Sequence, residues 1–316
     1  MNVLFVCSGN SKNGISPIIQ NQAESLKQIG CIIDFYTING RGLLGYLANV
    51  PKLKRIIQKK KILVHAHYSF SALVATLAGA KPLVVSLMGS DLHMQRWYKW
   101  LLRKFSKSCW DITIVKSKGM KDSFELDDVI VIPNGVDLTR FTVSDKKVAR
   151  CRLGWSAEKT HLLFAADPCR YEKNYNLAVN ALKILDDPNI ELHFLDNVEP
   201  VLMPLLYGAS DIVLLCSFRE GSPNVIKEAL ACNCLIVSTD VGDVRWVFGN
   251  TEGCYIASFD PHEFAAKIKM AISFLHEKGR TEGRQRILQL GLDAVSIAKR
   301  ISQVYTIAAG SNLNHT

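Results

Sequence analysis

Short apolar runs alternate with stretches of helical periodicity along almost the whole chain. The first run, VLFVC (3–7), opens into the loop SGNSKNGIS. A helix-like segment, IIQNQAESLKQIG, follows and ends at Gly30, and a second run, CIIDFYTI, comes next. The pattern repeats with ILVHAHY (62–68), PLVVSLMGSDLH (82–93), DITIVKS (111–117) and VIVIP (129–133). Helix-like segments around Lys54, over SALVATLAGA and over 94–107 separate them. Runs of this length bounded by loops predict buried strands, and strands alternating with helices predict a parallel, doubly wound sheet. Pro133-Asn134-Gly135 predicts a turn. The polar, charged run TVSDKKVARCRLGWSAEKT then reads as a linker, after which the alternation restarts with THLLFAA, IELHFLD, DIVLLC and CLIVSTDVGD. The expectation is α/β with two Rossmann-like domains, 1–143 and 157–292. Helical patterns fill 260–305, and the closing GSNLNHT reads as disordered.

Composition narrows the class without naming a function. At 316 residues, 48% hydrophobic and 21% charged, the chain can bury two ordinary cores. MNVLFVC is strand-like and lacks a basic leader, and no apolar run is long enough to span a bilayer. A cytoplasmic location is therefore expected, with peripheral attachment to the inner face of a membrane as the variant. The nine cysteines show no metal-ligand spacing, and those in strand-like runs, such as Cys7, Cys31 and Cys216, read as reduced core residues. The net charge of +9 is uneven: PKLKRIIQKKK (51–61) carries six basic residues and RWYKWLLRKFSK (96–107) five, with no acid in either. Such runs point to an anionic partner. On a helical wheel of 94–107, Arg96, Lys99, Arg103 and Lys107 share one face and Trp97, Tyr98, Leu101, Leu102 and Phe105 the other. That pattern suits an interfacial helix, and equally a domain helix burying its aromatic face.

The chemistry concentrates in SFREGSPNVIKEALACN (217–233), which reads as the loop and helix after a buried strand. Ser222 is placed to cap the helix and Pro223 to occupy its first position. Val225, Ile226, Ala229 and Leu230 make the apolar stripe, while Asn224 and Glu228 share a neighbouring face. The first-turn N–H groups and the helix dipole favour an anion such as a phosphate, and Gly221 lets the backbone approach it. Glu220 and Glu228 would repel that anion, so they are better suited to accept hydrogen bonds from hydroxyls on either side, as on a sugar and a ribose. A capped surface helix with two solvated glutamates is the alternative. Arg170 and Lys173, just beyond the strand THLLFAA, stand where a diphosphate would need countercharge. There is neither a G-x-G-x-x-G fingerprint nor a phosphate-binding G-x-x-x-x-G-K-[ST] loop.

Glu220-Gly221-Ser222-Pro223 followed by a second glutamate eight residues after the first resembles the E-x7-E motif of the retaining family 4 glycosyltransferases. PNGVD followed by Phe141 is a second match, and the resemblance extends over about residues 1–308. It implies the GT-B fold: two doubly wound domains facing a cleft, an acceptor-side first domain, a nucleotide-sugar-binding second domain, and a final helix, 293–309, returning to the first. It further implies that Glu228 holds ribose hydroxyls and Glu220 the donor sugar, while Arg170, Lys173 and the N–H groups near Gly221 and Ser222 neutralise the leaving diphosphate. Asn197 and Val198 would lie at the base-binding turn, Gly14 and His67 would bind substrate on the acceptor side, and Asp91 would be a catalytic residue there. The family's paired glycines in the first loop are replaced by Asn13-Gly14, and its second histidine by Met88.

The implied activity is transfer of a hexose from a nucleoside diphosphate sugar, the co-substrate, to the hydroxyl of a glycan or lipid-linked acceptor. Bacterial-type surface polysaccharide or glycolipid assembly is the expected setting. No cofactor and no metal are expected, since no D-x-D motif or His/Cys/Asp cluster at ligand spacing occurs. A lipid-linked acceptor would bring the chain to an anionic membrane surface. Nucleic acid is not an expected partner, because the basic runs match no reader motif. A GT-B epimerase and a catalytically silent sugar-binding homologue remain as other readings.

Overall fold

A computed structural model describes residues 1–10, 14–60, 62–93 and 95–311, which form two compact units. Ser11 to Asn13 of the first loop, Lys61 and Met94 of the two basic runs, and 312–316 of the tail lie outside the described residues.

The first unit comprises 1–135 together with the last segment of the chain, from Ala294. Its elements in order are β1 (Asn2–Ser8), α1 (Pro17–Gln28), β2 (Ile32–Ile38), α2 (Gly42–Leu47), α3 (Val50–Lys60), β3 (Leu63–His67), α4 (Ser69–Leu77), β4 (Leu83–Ser86), α5 (Arg96–Ser108), β5 (Ile112–Val115), α6 (Lys118–Phe124) and β6 (Ile130–Val131). All six strands are parallel, in the order β2-β1-β3-β4-β5-β6. Alternation along each strand separates two layers. Leu4, Val6, Val64, Ala66 and Val85 pack with Leu53 and Ile57 of α3, Ala72 and Ala75 of α4, and Tyr98 and Leu102 of α5. Phe5 and His65 point the other way, His65 meeting Tyr305 near the end of the chain.

The second unit, 136–293, holds α7 (Lys146–Leu153), β7 (Thr160–Phe164), α8 (Tyr175–Leu185), β8 (Ile190–Phe194), α9 (Met203–Ala209), β9 (Ile212–Leu215), α10 (Asn224–Ala231), β10 (Leu235–Thr239), α11 (Val244–Phe248), β11 (Cys254–Ala257), α12 (Pro261–Lys278) and α13 (Gly283–Gln289). Its five parallel strands run β11-β10-β9-β7-β8. The final helix, α14 (Ala294–Ser311), packs beside α1 in the first unit.

The boundary falls at Gly135/Val136, eight residues before the expected end of the first domain. The reason is local: Val136 N–H donates to Leu292 O at 2.9 Å, and the Arg284 guanidinium donates to the carbonyls of Leu138 and Phe141. The run read as a linker is also structured. Asp145 caps α7, and Lys146 and Arg150 both reach the buried carboxylate of Asp211 at the start of β9. Charged residues there mark buried ion pairs, which composition alone cannot tell from solvated charge. All nine cysteines are free, with Cys7, Cys31, Cys216, Cys232 and Cys234 buried.

Both strand orders contain a switch point, between β1 and β3 in the first sheet and between β7 and β9 in the second. Ligand sites in doubly wound sheets form beyond the carboxyl ends of strands at such points. The loops after β1, β3, β7 and β9 carry most of the residues singled out in the sequence.

Candidate active site

In the second unit, the loop after β7 ends in a short 3-10 turn, Tyr171–Lys173, and the loop after β9 carries Glu220. A backbone bond from Phe218 N–H to Glu172 O, 3.0 Å, ties the two loops together. Lys173 Nζ then lies 2.6 Å from Glu220 Oε1, which also accepts from Ser217 Oγ at 2.8 Å. Both partners of this ion pair are largely shielded, with side chains 14% and 16% exposed. Arg170 does not join it. Its guanidinium is exposed and holds Glu172, at 2.6 Å. Lys173 is thus the cation built into the site, while Arg170 stands at its margin.

Glu228 is half-buried on α10, and Tyr207 donates its hydroxyl to Glu228 Oε2 at 2.9 Å. Burial raises the carboxyl above its ordinary range, against the lowering effects of the Tyr207 hydrogen bond, Arg140 and Lys227. A carboxylate held near cations yet short of solvent is suited to take hydroxyl donors from a ligand.

The start of α10 departs from the expectation. The helix begins at Asn224, and the residue at the cap position is Pro223, whose side chain cannot accept a hydrogen bond, in place of Ser222. The Ser222 hydroxyl donates to Asp243 Oδ2 at 2.6 Å and accepts from Lys227 Nζ at 2.9 Å. Lys227 is 1% exposed, so its charge is balanced inside the unit by Asp243 and Glu228. The turn that carries Asp243 presses on the loop: a Cβ at Gly242, whose φ is +61°, would lie 2.7 Å from Gly221 O. Gly221 and Pro223 are buried and Asn224 partly so. Asn197, left-handed at φ +50°, and Val198 follow β8, the strand beside β7, with Asn197 exposed.

In the first unit the site residues follow β1, β3 and β4. Gly14 takes a left-handed φ of +74° in the first loop. His67 ends β3, fully buried against Phe5 and His65, and neither ring nitrogen has a hydrogen-bond partner among the described residues. Burial first, and then the charge of Lys116, pushes its pKa well below the usual value, so the ring is neutral. Asp91 is 2% exposed and already engaged. Its Oδ1 accepts from Ser69 Oγ at 2.7 Å and its Oδ2 from Met88 N–H at 2.8 Å. It therefore clamps the end of β4 to the start of α4.

Sequence reasoning missed Tyr207, Asp243 and Arg140, which reach the site through tertiary contact, and also Ser217 and Lys227, which lie within the singled-out stretch itself. It also found no cluster of metal-ligand type, yet His161 of β7 comes together with Glu191 and His193 of β8. The two imidazoles bond to each other at 2.8 Å and His161 Nε2 lies 2.7 Å from Ser156 O, so both rings are already engaged.

Two family models match: "Glycosyltransferase Family 4" over residues 19–140 and "Glycosyl transferases group 1" over 151–273. Among curated relatives, a Bacillus subtilis protein whose name assigns it, provisionally, to teichuronic acid biosynthesis as the glycosyltransferase TuaC is 27% identical over 214 residues, 59% of this chain and 55% of that one. A D-inositol 3-phosphate glycosyltransferase of Geodermatophilus obscurus is 28% identical over 181 residues, 46% of this chain and 40% of its own. The chain spans about half the length of the curated relatives it matches. Among solved structures, sucrose-phosphate synthase from Thermosynechococcus elongatus superposes with a TM-score of 0.83 at 14% identity, covering 98% of this chain and 99% of the other. Anabaena HepE in complex with UDP and glucose gives 0.77 at 16% identity, covering 97% and 99%. These likenesses establish the fold, GT-B, with its two parallel sheets. On that fold, a segment matching the family 4 model is followed by one matching the group 1 model, and together the two matches span most of 19–273.

Proposed function

We propose that the protein transfers a sugar from a nucleoside diphosphate sugar to an acceptor hydroxyl, with retention at the anomeric carbon. The observation that carries this reading is the shielded Lys173–Glu220 ion pair in the loops that lead to α10, the helix that carries Glu228, beyond the switch point of the second sheet. The relatives' names support glycosyl transfer, and the UDP and glucose bound to Anabaena HepE support a nucleotide-sugar donor.

In the reaction the bond from the anomeric carbon to the diphosphate oxygen breaks, and its electron pair leaves with the diphosphate. Lys173 and the first N–H groups of α10 face that developing charge, with Arg170 adding longer-range countercharge. Glu228 accepts ribose hydroxyls and Glu220 those of the donor sugar. Because Lys173 already neutralises Glu220, donor binding exchanges one charged partner for another, which keeps reorganisation small. The new bond forms from the acceptor oxygen on the face the diphosphate leaves, and its proton passes to the departing diphosphate oxygen. This distribution of protein cations needs no divalent metal at the diphosphate. The acceptor is proposed to be a glycan or lipid-linked saccharide of bacterial-type surface polysaccharide or glycolipid assembly.

The test is a thermal-shift screen of nucleoside diphosphate sugars, followed by a transfer assay with the stabilising donor and analysis of the anomeric configuration of the product. A donor that stabilises the protein and is interconverted without any acceptor would point to an epimerase and end this reading.

A further inference from the structure

We infer that the α2–α5 helical layer of the first unit is a docking surface for an anionic lipid bilayer, with Leu43, Leu44, Trp97 and Trp100 as its inserting residues. The helical wheel placed Trp97 with Tyr98 on one face, but the structure separates them. Tyr98 and Leu102 are buried in the core, whereas Trp97 and Trp100 are 63% and 52% exposed. A second pair, invisible as a feature in the sequence, joins them: Leu43 and Leu44 of α2 are 56% and 83% exposed. The two pairs are linked across the layer by rings in contact, Tyr46 to Phe70 at 5.7 Å, Phe70 to Tyr98 at 5.5 Å, and Tyr98 to Trp97 at 5.6 Å. Four large apolar side chains are thus exposed on two helices that are joined through one aromatic cluster of this unit.

Charge identifies the occupant. α3 and α5 pack on the same face of the sheet, so the two basic runs, distant in sequence, cover one layer. Arg41, Lys52, Lys54, Arg55, Lys59 and Lys60 are exposed there, as are Arg96, Lys104 and Lys107, and α2, α3 and α5 contain no acid. Asp34 beside Lys60 and Glu125 beside Arg103 are the acids paired with this layer, and they leave most of its charge uncompensated. Lys104 lies 4.1 Å over the Trp100 ring, an amphipathic pairing suited to the level of lipid headgroups. A polyanion such as nucleic acid would use the charge but would gain nothing from two exposed leucines. A bilayer with an anionic surface uses both.

The inference goes beyond the proposed reaction and is tested without donor or acceptor, so either can fail alone. The whole protein is sedimented with vesicles of equimolar phosphatidylglycerol and phosphatidylcholine, and with vesicles of phosphatidylcholine only. Binding to the first and not the second is expected, weakening as salt rises. Leu43→Ser with Leu44→Ser, and Trp97→Ser with Trp100→Ser, should each weaken binding about tenfold or more. The tryptophan pair should also abolish the blue shift of tryptophan emission that vesicles induce. Each charge reversal at Lys54 or Lys104 should cost roughly fivefold or more. These side chains are exposed, so thermal melting should be unchanged, and a variant that melts early is replaced by the corresponding alanine. The inference is overturned if the wild-type protein ignores anionic vesicles at low salt. It is equally overturned if both double variants bind as the wild type does, or if duplex DNA is bound in place of vesicles.

Discussion

Glu228 shows how a single side chain trades stability for binding. Burial raises its pKa, so the folded protein holds this proton more tightly than the unfolded chain does. Between the ordinary glutamate range, about 4.3, and the raised value, folding takes up a proton, and stability falls as pH rises through that window. Ligand binding has the opposite sign, because the ionised carboxylate is the better acceptor. Affinity for the nucleoside diphosphate of the stabilising donor is therefore expected to fall on acidification at a pH above the ordinary glutamate range, and Glu228→Gln should flatten that dependence while melting no lower than the wild type at neutral pH. Calorimetry at several pH values and a melting series decide it. Glu228→Ala would remove a charge-assisted bond of about 1.5–3 kcal/mol, so nucleoside diphosphate affinity should drop roughly ten- to a hundredfold. Glu220 has a different expected signature: Glu220→Gln should lower turnover with nucleoside diphosphate affinity nearly intact, since its proposed partner is the sugar and not the nucleotide. A matching loss of affinity in both variants would mean that the two roles are misassigned.

At the scale of elements, the loops are held by contacts that sequence neighbours do not make. The start of α10 is braced by Ser222, Lys227 and Asp243, and the loops after β7 and β9 by Phe218 and Glu172. The same logic fixes α7 on the second unit. Asp211 accepts from Lys146, Arg150 and the His161 N–H, and it is nearly fully buried. Removing one partner of a buried network leaves the others uncompensated, at a cost of about 3–5 kcal/mol. Asp211→Ala is expected to destabilise the protein by that amount in urea unfolding, while charge removal at exposed Lys147 is expected to change little. An Asp211→Ala variant that unfolds like the wild type would show that α7 does not depend on this network.

For the whole molecule, the decisive question is where the charge for the leaving diphosphate comes from. Lys173, Arg170 and the start of α10 lie in one unit, and in the proposed reaction they would oppose the diphosphate without a divalent ion. Sugar transfer is accordingly expected to survive a chelator. Loss of transfer with the chelator and recovery with magnesium or manganese would contradict it. Among the described residues no helix is long and apolar enough to cross a membrane.

The periodicities determined much of this protein without any coordinates. Apolar runs such as VLFVC and DIVLLC are strands because both faces of a parallel sheet are covered, and that burial is written directly into the residue types. The spacing of Glu220 and Glu228 likewise put one carboxylate in a loop and the other on a helix, as the structure has them. Tertiary structure alone decided the partners. Lys173 reaches Glu220 from 47 residues away, Tyr207 reaches Glu228 from 21, and Ser222 turns from a helix cap to Asp243. It also decided the fate of the charged and aromatic segments: the apparent linker is a helix locked by buried ion pairs, and Trp97 is exposed while Tyr98, its neighbour, is buried. Hydrophobic pattern reports how much of a residue is buried on average along an element. Which polar groups meet, and which face of a helix stays bare, depends on how the sheet orders its strands, and that order is a property of the folded chain.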